Sequence, residues 1–358
     1  MRCSLKSCTV TLICPFTIAY VLLYWQWQSP ATEMDQKIKT RAIAAVVGAI
    51  VADAATQPLH WIYKPSDMEK ALEGRENPEF RDVSACPFYT INKGSTSPYG
   101  DQAMIVLESL SSQNEVDIDD YSARLYKFYG PGTELEQVRQ QTQYPKTGSW
   151  TPGVIKTFLT NYEAKNTVTG EKNSSDMHTS TAAIAVVAKY AGQADMLDKV
   201  RKVIKVTAIH TEDIAIGLAA ARLLEHYILN GEDPDAVNSL LHKLKGSNSI
   251  ADSKVVSYLE KVKDALDKTH SQAGQEFGIA CDYPGSFETS IHALLKFSNY
   301  LSAVRGTMVI GGDNCSRAAF IGACKAAQGG LESIPEDWKQ KTRDYPKVLE
   351  LAKQIVQM

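Results

Sequence analysis

Three short segments of this sequence combine an acidic residue with small residues at a predicted helix boundary. They are GAIVADAATQPLH, which carries Asp53 and His60, SPYGDQAM, which carries Asp101, and GGDNCSRAA, which carries Asp313. A buried carboxylate is costly, so Asp53 is expected to be paired, protonated, bound to a metal or at a cavity wall. Taken singly, each acid is more often a helix cap or a paired core residue, and only their combination indicates chemistry.

The two later acids stand where helices are predicted to begin. Asp101 precedes apolar residues at helical spacing, and the structural alternative for it is a helix N-cap, a position that short acidic side chains favour. Gly311 and Gly312 stand directly before Asp313, and glycine lets the backbone approach a neighbour closely. The Ala- and Gly-rich helix predicted after Asp313 permits tight packing or leaves room for a ligand.

The elements that must position these residues are predicted to be helices. The Ala-rich stretch 40–56 predicts a buried helix, whereas five prolines between residues 57 and 100 predict a long structured loop. Later segments repeat apolar residues every three or four positions. The predicted helices there cover residues 101–111, 119–129, 179–190, 213–229, 287–304, 314–328 and 345–357. Alternating β-branched strands are almost absent, so the sequence predicts an all-α domain of about ten or more helices.

The composition indicates a large core and no strong charge field. Of the 358 residues, 44% are hydrophobic, and the formal net charge is −3. Nucleic acid is not expected as a partner, because a phosphate backbone is held by basic surfaces. The seven cysteines form no CxxC pair, which argues against a zinc ribbon or a disulfide framework. From residue 35 onward the chain is therefore expected to occupy a reducing compartment, the cytoplasm.

The first 33 residues differ from the rest of the chain. Residues 7–32 contain no charged side chain and are rich in Val, Leu, Ile, Tyr and Trp. The apolar run is near the lower limit of about 17 residues for a spanning helix. It is interpreted as a signal anchor or uncleaved signal sequence, and it is the only membrane contact expected. The alternative is that the main product begins at Met34, so that the domain comprises residues 34–358.

In order along the chain, the three segments resemble the motifs of a known family. The patterns GxxxxDAxxxP, YxDxAM and GGDxxxRAAxxGA are similar to those of the ADP-ribosylglycohydrolases. The resemblance runs from about residue 40 to residue 330 and is closest to the group of J-type crystallins and selenoprotein J. It implies an all-helical scaffold that, in active members, holds two magnesium ions and hydrolyses ADP-ribose glycosidic bonds.

Carried over residue by residue, the resemblance implies an altered site. The family's Thr-Asp-Asp run falls on Tyr99, Gly100 and Asp101, so only Asp101 keeps its carboxylate. The family's glutamate after the first-motif aspartate falls on His60, which removes another carboxylate. The resemblance thus implies Asp53, His60 and Asp101 as the candidate catalytic residues.

The family's Asp-x-Asp-Thr run falls on the sequence DNCS, where Cys315 replaces the second acid and Ser316 keeps a hydroxyl. Magnesium prefers oxygen ligands in octahedral geometry, so Asp101, Asp313 and Ser316 are expected to hold one ion or none. A softer metal such as zinc would instead bind Asp313, Cys315 and His60 if they converge. Cys315 also stands near a helix N-terminus, which lowers the pKa of a thiol, and the alternative is an inert buried cysteine.

The middle segment SSDMHTSTAAIAVVA resembles, more loosely, a family stretch that lines the ADP-ribose pocket. It implies Asp176, His178 and Thr179 as substrate-binding residues, together with the glycine pair Gly311 and Gly312. The structural alternative is a capped helix start, in which the hydroxyl of Thr179 accepts hydrogen bonds from free backbone amides.

Three functions follow from these residues. The first is magnesium-dependent hydrolysis of ADP-ribose or an ADP-ribosylated substrate, with Asp53 or His60 supporting the site. The missing carboxylates weigh against hydrolysis and favour the second function, a crystallin-like structural protein or a ligand-binding pseudoenzyme on the same fold. The third is thiol-based redox chemistry at Cys315.

Overall fold

A computed structural model describes residues 30–357, with side chains from residue 34 onward. The apolar segment 7–32, interpreted above as an anchor, lies outside the residues whose side chains are described. A compact unit begins at Lys39.

The described part of the chain contains seventeen α-helices, which confirms the all-α prediction. They are α1 Pro30–Thr56, α2 Pro65–Leu72, α3 Pro98–Gln113, α4 Ile118–Tyr129, α5 Glu134–Gln140, α6 Gly153–Glu163, α7 His178–Tyr190, α8 Met196–Thr207, α9 Thr211–Asn230, α10 Ala236–Lys245, α11 Ile250–Asp264, α12 His270–Phe277, α13 Gly285–Lys296, α14 Tyr300–Val309, α15 Asn314–Gly329, α16 Glu336–Lys341 and α17 Tyr345–Gln357. Two strands of two residues each, β1 Tyr89–Thr90 and β2 Lys146–Thr147, pair in parallel with Tyr89 opposite Lys146. Short 3-10 turns cover Gln57–Leu59 and Leu331–Ser333.

Helix α1 is a core helix because its small residues allow a close approach to α15. A Cβ atom built on Gly48 would stand 2.6 Å from the carbonyl oxygen of Gly322, so neither position tolerates a side chain without movement. The hydroxyl of Tyr300 donates to the Gly48 carbonyl at 2.8 Å. The stretch Met34–Leu59 is long and apolar enough to cross a membrane, but its most apolar window is entirely buried inside the protein. Its composition is therefore accounted for by the core.

Two sequence predictions are corrected by the structure. The helix predicted over 287–304 is two helices, α13 and α14, because Asn299 leaves the helical conformation and its side chain accepts from the amide of Ser302 at 2.9 Å. The loop predicted over 57–100 contains α2, which begins at Pro65. Proline is tolerated in the first turn of a helix, where its missing amide proton has no intrahelical partner to lose.

Candidate functional site

The acidic motifs meet where three helix ends come together. Asp53 lies near the end of α1, His60 follows the 3-10 turn after it, and Asp313 directly precedes α15. Asp101 lies in the first turn of α3. The charges of Asp101 and Asp313 both act on Asp53, which places Asp53 between them.

Asp313 is held by three donors from its surroundings. Its Oδ1 accepts from Nε2 of His60 at 2.6 Å and from the indole Nε1 of Trp61 at 3.0 Å, and its Oδ2 accepts from the hydroxyl of Ser316. Asp313, His60 and Ser316 are fully buried. Asp313 occupies the N-cap position of α15 but makes no capping hydrogen bond, so its carboxylate serves this network and not the helix.

The protonation of this network follows from its hydrogen bonds. Burial raises the pKa of Asp313, but the hydrogen bonds from His60 and Ser316 outweigh burial, and the pKa lies below its usual range. Burial lowers the pKa of His60, which is therefore neutral. Since the ionised Asp313 can only accept, the imidazole proton lies on Nε2, and Nδ1 accepts from the hydroxyl of Tyr89 at 2.8 Å. The site is a relay of hydrogen bonds from Tyr89 through His60 to Asp313.

The loop before Asp313 is fixed by contacts between backbones. Gly311 and Gly312 have φ of 78° and 65°, and a Cβ on either would stand within 2.3 Å of a carbonyl oxygen, of Ile62 and Ile279 respectively. The amide of Gly312 donates to Ile62 at 2.7 Å. The glycine pair, predicted to bind substrate, is thus buried against protein backbone.

Arg317 holds the same loop from inside α15. Its guanidinium is fully buried and donates to Thr307 Oγ1 at 3.1 Å, to the carbonyl of Ile279 at 2.7 Å and to the carbonyl of Gly311. It stands four residues after Asp313, one helical turn into α15, so one helix end carries both charges.

Asp53 is paired with the N-cap of α3. Its Oδ2 accepts from the amide of Ser97 at 2.7 Å and its Oδ1 accepts from the Ser97 hydroxyl at 2.5 Å. A Cβ on Gly100 would stand 2.4 Å from Oδ2 of Asp53, so this carboxylate fills the space beside Gly100. Burial raises the pKa of Asp53 to about 7, although the hydrogen bonds from Ser97 oppose the rise. The expectation that Asp53 is paired is therefore met.

Asp101 is directed toward Thr96 and Ser149. Its Oδ1 accepts from the Thr96 hydroxyl at 2.6 Å and its Oδ2 accepts from the Ser149 hydroxyl at 2.7 Å. Burial raises the pKa of Asp101 to about 6. The N-cap of α3 is Ser97, not Asp101, which corrects the structural alternative given for Asp101.

The middle segment lies at the start of α7. Asp176 accepts from the amide of His178 at 3.0 Å, and His178 Nε2 lies 3.1 Å from the Thr207 hydroxyl. The hydroxyl of Thr179 is 2.8 Å from the hydroxyl of Tyr283 and caps no helix, because α7 already begins at His178. The capping alternative for Thr179 is therefore wrong. Substrate binding by Asp176, His178 and Thr179 stays a prediction.

Cys315 does not join the other candidate ligands. Its Sγ lies in the core, 4.0 Å from the carbonyl oxygen of Asp53. Burial, reinforced by the charges of Asp53 and Asp313, raises the pKa of Cys315 well above its usual value. The proposed lowering by the helix N-terminus is therefore outweighed. The convergence of Asp313, Cys315 and His60 around zinc is not formed, since Nε2 of His60 is spent on Asp313.

In the folded protein, Cys315 is expected to remain unmodified by iodoacetamide under conditions that alkylate free cysteine, because the thiolate is the reactive form. Site-resolved mass spectrometry after a timed pulse measures this, and protein unfolded in urea is the control in which Cys315 reacts. Alkylation of native Cys315 at the rate of free cysteine would revive the thiol hypothesis.

The carboxylates do not fit a magnesium ion. Magnesium needs oxygen ligands in a near-octahedral arrangement about one point. Asp53 and Asp101 each accept from two protein donors and Asp313 from three. Across residues 34–357, no group of three or more His, Cys, Asp and Glu side chains is arranged to hold a metal ion. The set of Asp101, Asp313 and Ser316 is therefore divided between two separate hydrogen-bond networks.

The residues that sequence reasoning missed are those that hold the acids. They are Trp61, Tyr89, Ser97, Ser149 and Arg317. Only Arg317 had a signal in the sequence, as the basic residue one turn into the helix of the third motif. Trp61 adopts φ of 60°, a strained conformation for a bulky residue, and is stacked on His60 with ring centroids 4.2 Å apart.

Comparisons with known proteins agree with this architecture. Crystallin J1A and Crystallin J1B of Tripedalia cystophora are each 32% identical to this chain over 324 residues, which is 90% of this chain and 98% of each crystallin. A solved structure described as an ADP-ribosylglycohydrolase-related protein complex matches with a TM-score of 0.67 at 17% identity, covering 90% of this chain and 99% of that one. This likeness shows the fold. A family model for ADP-ribosylglycohydrolase matches residues 34–358. The chain belongs to the ADP-ribosylglycohydrolase family.

Proposed function

We propose that this protein uses the glycohydrolase scaffold as a crystallin-like structural protein, without metal-dependent hydrolysis. Members of the family act on ADP-ribosylated substrates and typically bind divalent metal ions. The observation that supports a different use here is Asp313, whose carboxylate is occupied by His60, Trp61 and Ser316. The two relatives named crystallins are consistent with this use.

His60 takes over the stabilisation that a cation would give Asp313. A buried carboxylate must be compensated, and in this site donated hydrogen bonds provide the compensation. Because Nε2 of His60 donates to Asp313 and Nδ1 accepts from Tyr89, both ring nitrogens are engaged. Neither nitrogen can ligate a metal without breaking the relay.

Burial also argues against catalysis by these groups. Asp53, His60 and Asp313 are each 0% exposed. A general base must reach the proton that it abstracts, directly or through one water molecule. Side chains enclosed in this way support a structural role for the network.

Hydrolysis is the competing function, and titration of magnesium and of ADP-ribose into the full-length protein separates the two. We expect no binding of magnesium and no metal-dependent release of ADP-ribose from ADP-ribosylated arginine or serine peptides. The matched variants are His60→Glu, which returns a carboxylate to the position implied by the family, and Asp313→Asn. We expect His60→Glu to bind magnesium more tightly than the parent, since two carboxylates then face each other without a donor between them.

Magnesium-dependent release of ADP-ribose by the parent, lost in Asp313→Asn, would establish a hydrolase. Binding of ADP-ribose without hydrolysis would favour the ligand-binding pseudoenzyme. In that case Asp176→Ala tests whether the middle segment contributes to the pocket.

For location, we propose a cytoplasmic domain whose membrane contact is limited to residues 7–32. Support comes from the buried state of the other apolar stretch, Met34–Leu59. Fractionation of cells that express the full chain or a chain starting at Met34 tests this. Equal membrane association of the two chains would contradict it.

A further inference from the structure

A separate cavity lies between α8 and the first turns of α9 and α11. Its volume is about 380 Å³, within the range of about 300–1,000 Å³ found for small-molecule pockets. None of the acidic motif residues lines it, so its role is independent of the site described above.

Three cationic side chains line this cavity. Arg201 and Lys205 lie one turn apart on α8, so they share a face of that helix, and both are exposed. Arg222 reaches the cavity from α9. Within residues 34–357, the side chains of Arg201 and Lys205 make neither a hydrogen bond nor an ion pair. Like charges held together without a partner indicate an anion as the ligand.

Arg222 gives the most direct indication of a missing acceptor. Its Nε and Nη1 atoms are buried and have no hydrogen-bond partner in the described part of the chain. Buried donors of this kind are rare, because each loses its hydrogen bonds to water on folding. An anion in the cavity would supply the acceptors, and the fork of guanidinium donors matches phosphate oxygens.

Two helix N-termini add to the positive potential. Thr211 is the first residue of α9, which is 20 residues long, and its N-cap residue makes no side-chain capping bond. Ser249 and Ala251 bring the start of the 15-residue helix α11 to the same cavity. The first amides of a helix lack intrahelical partners and favour negative charge nearby.

The remaining wall sets the charge balance and the shape of the ligand. Asp252 is the one acid lining the cavity against three cations, and Glu225, whose charge also acts on Arg222, accepts from the amide of Gly192 at 3.0 Å. Ile214 and Leu218 form an apolar side. The ligand thus needs an anionic end and an apolar or aromatic body.

We propose that this cavity binds an organic phosphate monoester. The phosphate lies between Arg222 and the two helix N-termini, with Arg201 and Lys205 at the cavity mouth. The organic body packs on Ile214 and Leu218.

Calorimetric titration of adenosine 5′-monophosphate into the full-length protein at low salt tests the proposal. Arg222→Met is expected to weaken binding by about tenfold or more, because it removes charged hydrogen bonds. Asp252→Asn is expected to tighten binding about threefold, because it removes the competing charge. Arg124→Met, on α4 and paired with Asp120, is the matched control and should leave affinity unchanged. Adenosine, which lacks the phosphate, is expected not to compete.

Thermal unfolding without ligand guards against a trivial loss. Arg222→Met should unfold at or above the temperature of the parent, since the donors it removes are unpaired. The proposal is overturned if adenosine competes with the nucleotide, if inorganic phosphate binds as tightly as the nucleotide, or if Arg222→Met binds as well as the parent. None of these outcomes depends on magnesium or on hydrolysis, so they leave the structural role of the Asp313 network untouched.

Discussion

Gly312→Ala is expected to lower the free energy of unfolding by more than about 4 kcal/mol, a loss that few single substitutions reach. The added Cβ would stand 2.1 Å from the carbonyl oxygen of Ile279. That oxygen cannot withdraw freely, because it accepts from the amide of Asp313 at 2.7 Å and from Arg317 at 2.7 Å. Relief of the clash therefore breaks the hydrogen bonds that position Asp313.

The chain contains a matched control for this substitution. Gly74 has φ of 66°, almost the same as the 65° of Gly312, but a Cβ on Gly74 would meet nothing within 4 Å. Gly74→Ala therefore measures the cost of the left-handed backbone alone, about 1–2 kcal/mol. Urea unfolding of the two variants separates conformation from collision. Equal losses would show that the loop around Gly312 shifts without penalty.

The same contrast shows what the sequence can and cannot reveal. Gly311 and Gly312 were singled out as positions where the backbone approaches something closely, and this is what they do. The partner is the backbone at Ile62 and Ile279, which are 250 and 33 residues away from Gly312. A glycine pair shows that space is short, but it does not show whether a ligand or the protein fills that space.

Helices were predictable where composition or period is strong. The Ala-rich stretch that became α1 and the apolar spacing that became α9 need no tertiary information. The 287–304 segment has apolar residues on both sides of its break, so the break at Asn299 was lost, although asparagine is a favoured N-cap. Helix α2 was missed because Pro65 was taken as a breaker when it starts the helix.

The site was predictable in its acids but not in its chemistry. Asp53, His60 and Asp313 do gather at one place, as the family resemblance implied. Their partners come from segments without any motif, such as Ser97 for Asp53 and Tyr89 for His60. Whether a carboxylate faces a metal or a protein donor depends on these distant partners, and residue type alone does not encode it.

The exchange of a glutamate for His60 also had a meaning that the sequence left open. It was read as the loss of a ligand or as a softer ligand for zinc. The hydrogen bonds of both ring nitrogens show a third use, in which the imidazole neutralises the need of Asp313 for a cation. This use follows from geometry, because Nε2 lies 2.6 Å from the carboxylate.

Arg317→Leu is expected to lower the free energy of unfolding by about 3–5 kcal/mol, as removal of one partner from a buried charged network does. The carbonyl of Gly311 would be left buried without its donor, and the carbonyl of Ile279 would lose one of two. Arg317→Lys restores the charge but cannot reach three acceptors at once, so it is expected to recover only part of the loss. Urea unfolding with circular dichroism detection measures both variants.

Arg124→Leu is the control for this prediction. Arg124 is partly exposed and pairs with Asp120 at 2.6 Å across one helical turn, so its loss is expected to cost about 0.5 kcal/mol. If Arg317→Leu cost no more than this control, the buried guanidinium would not be what fixes the loop before Asp313. If it costs several times more, the charge of Arg317 and the hydrogen bonds from His60 and Trp61 together explain how Asp313 stays ionised in the core without a metal ion.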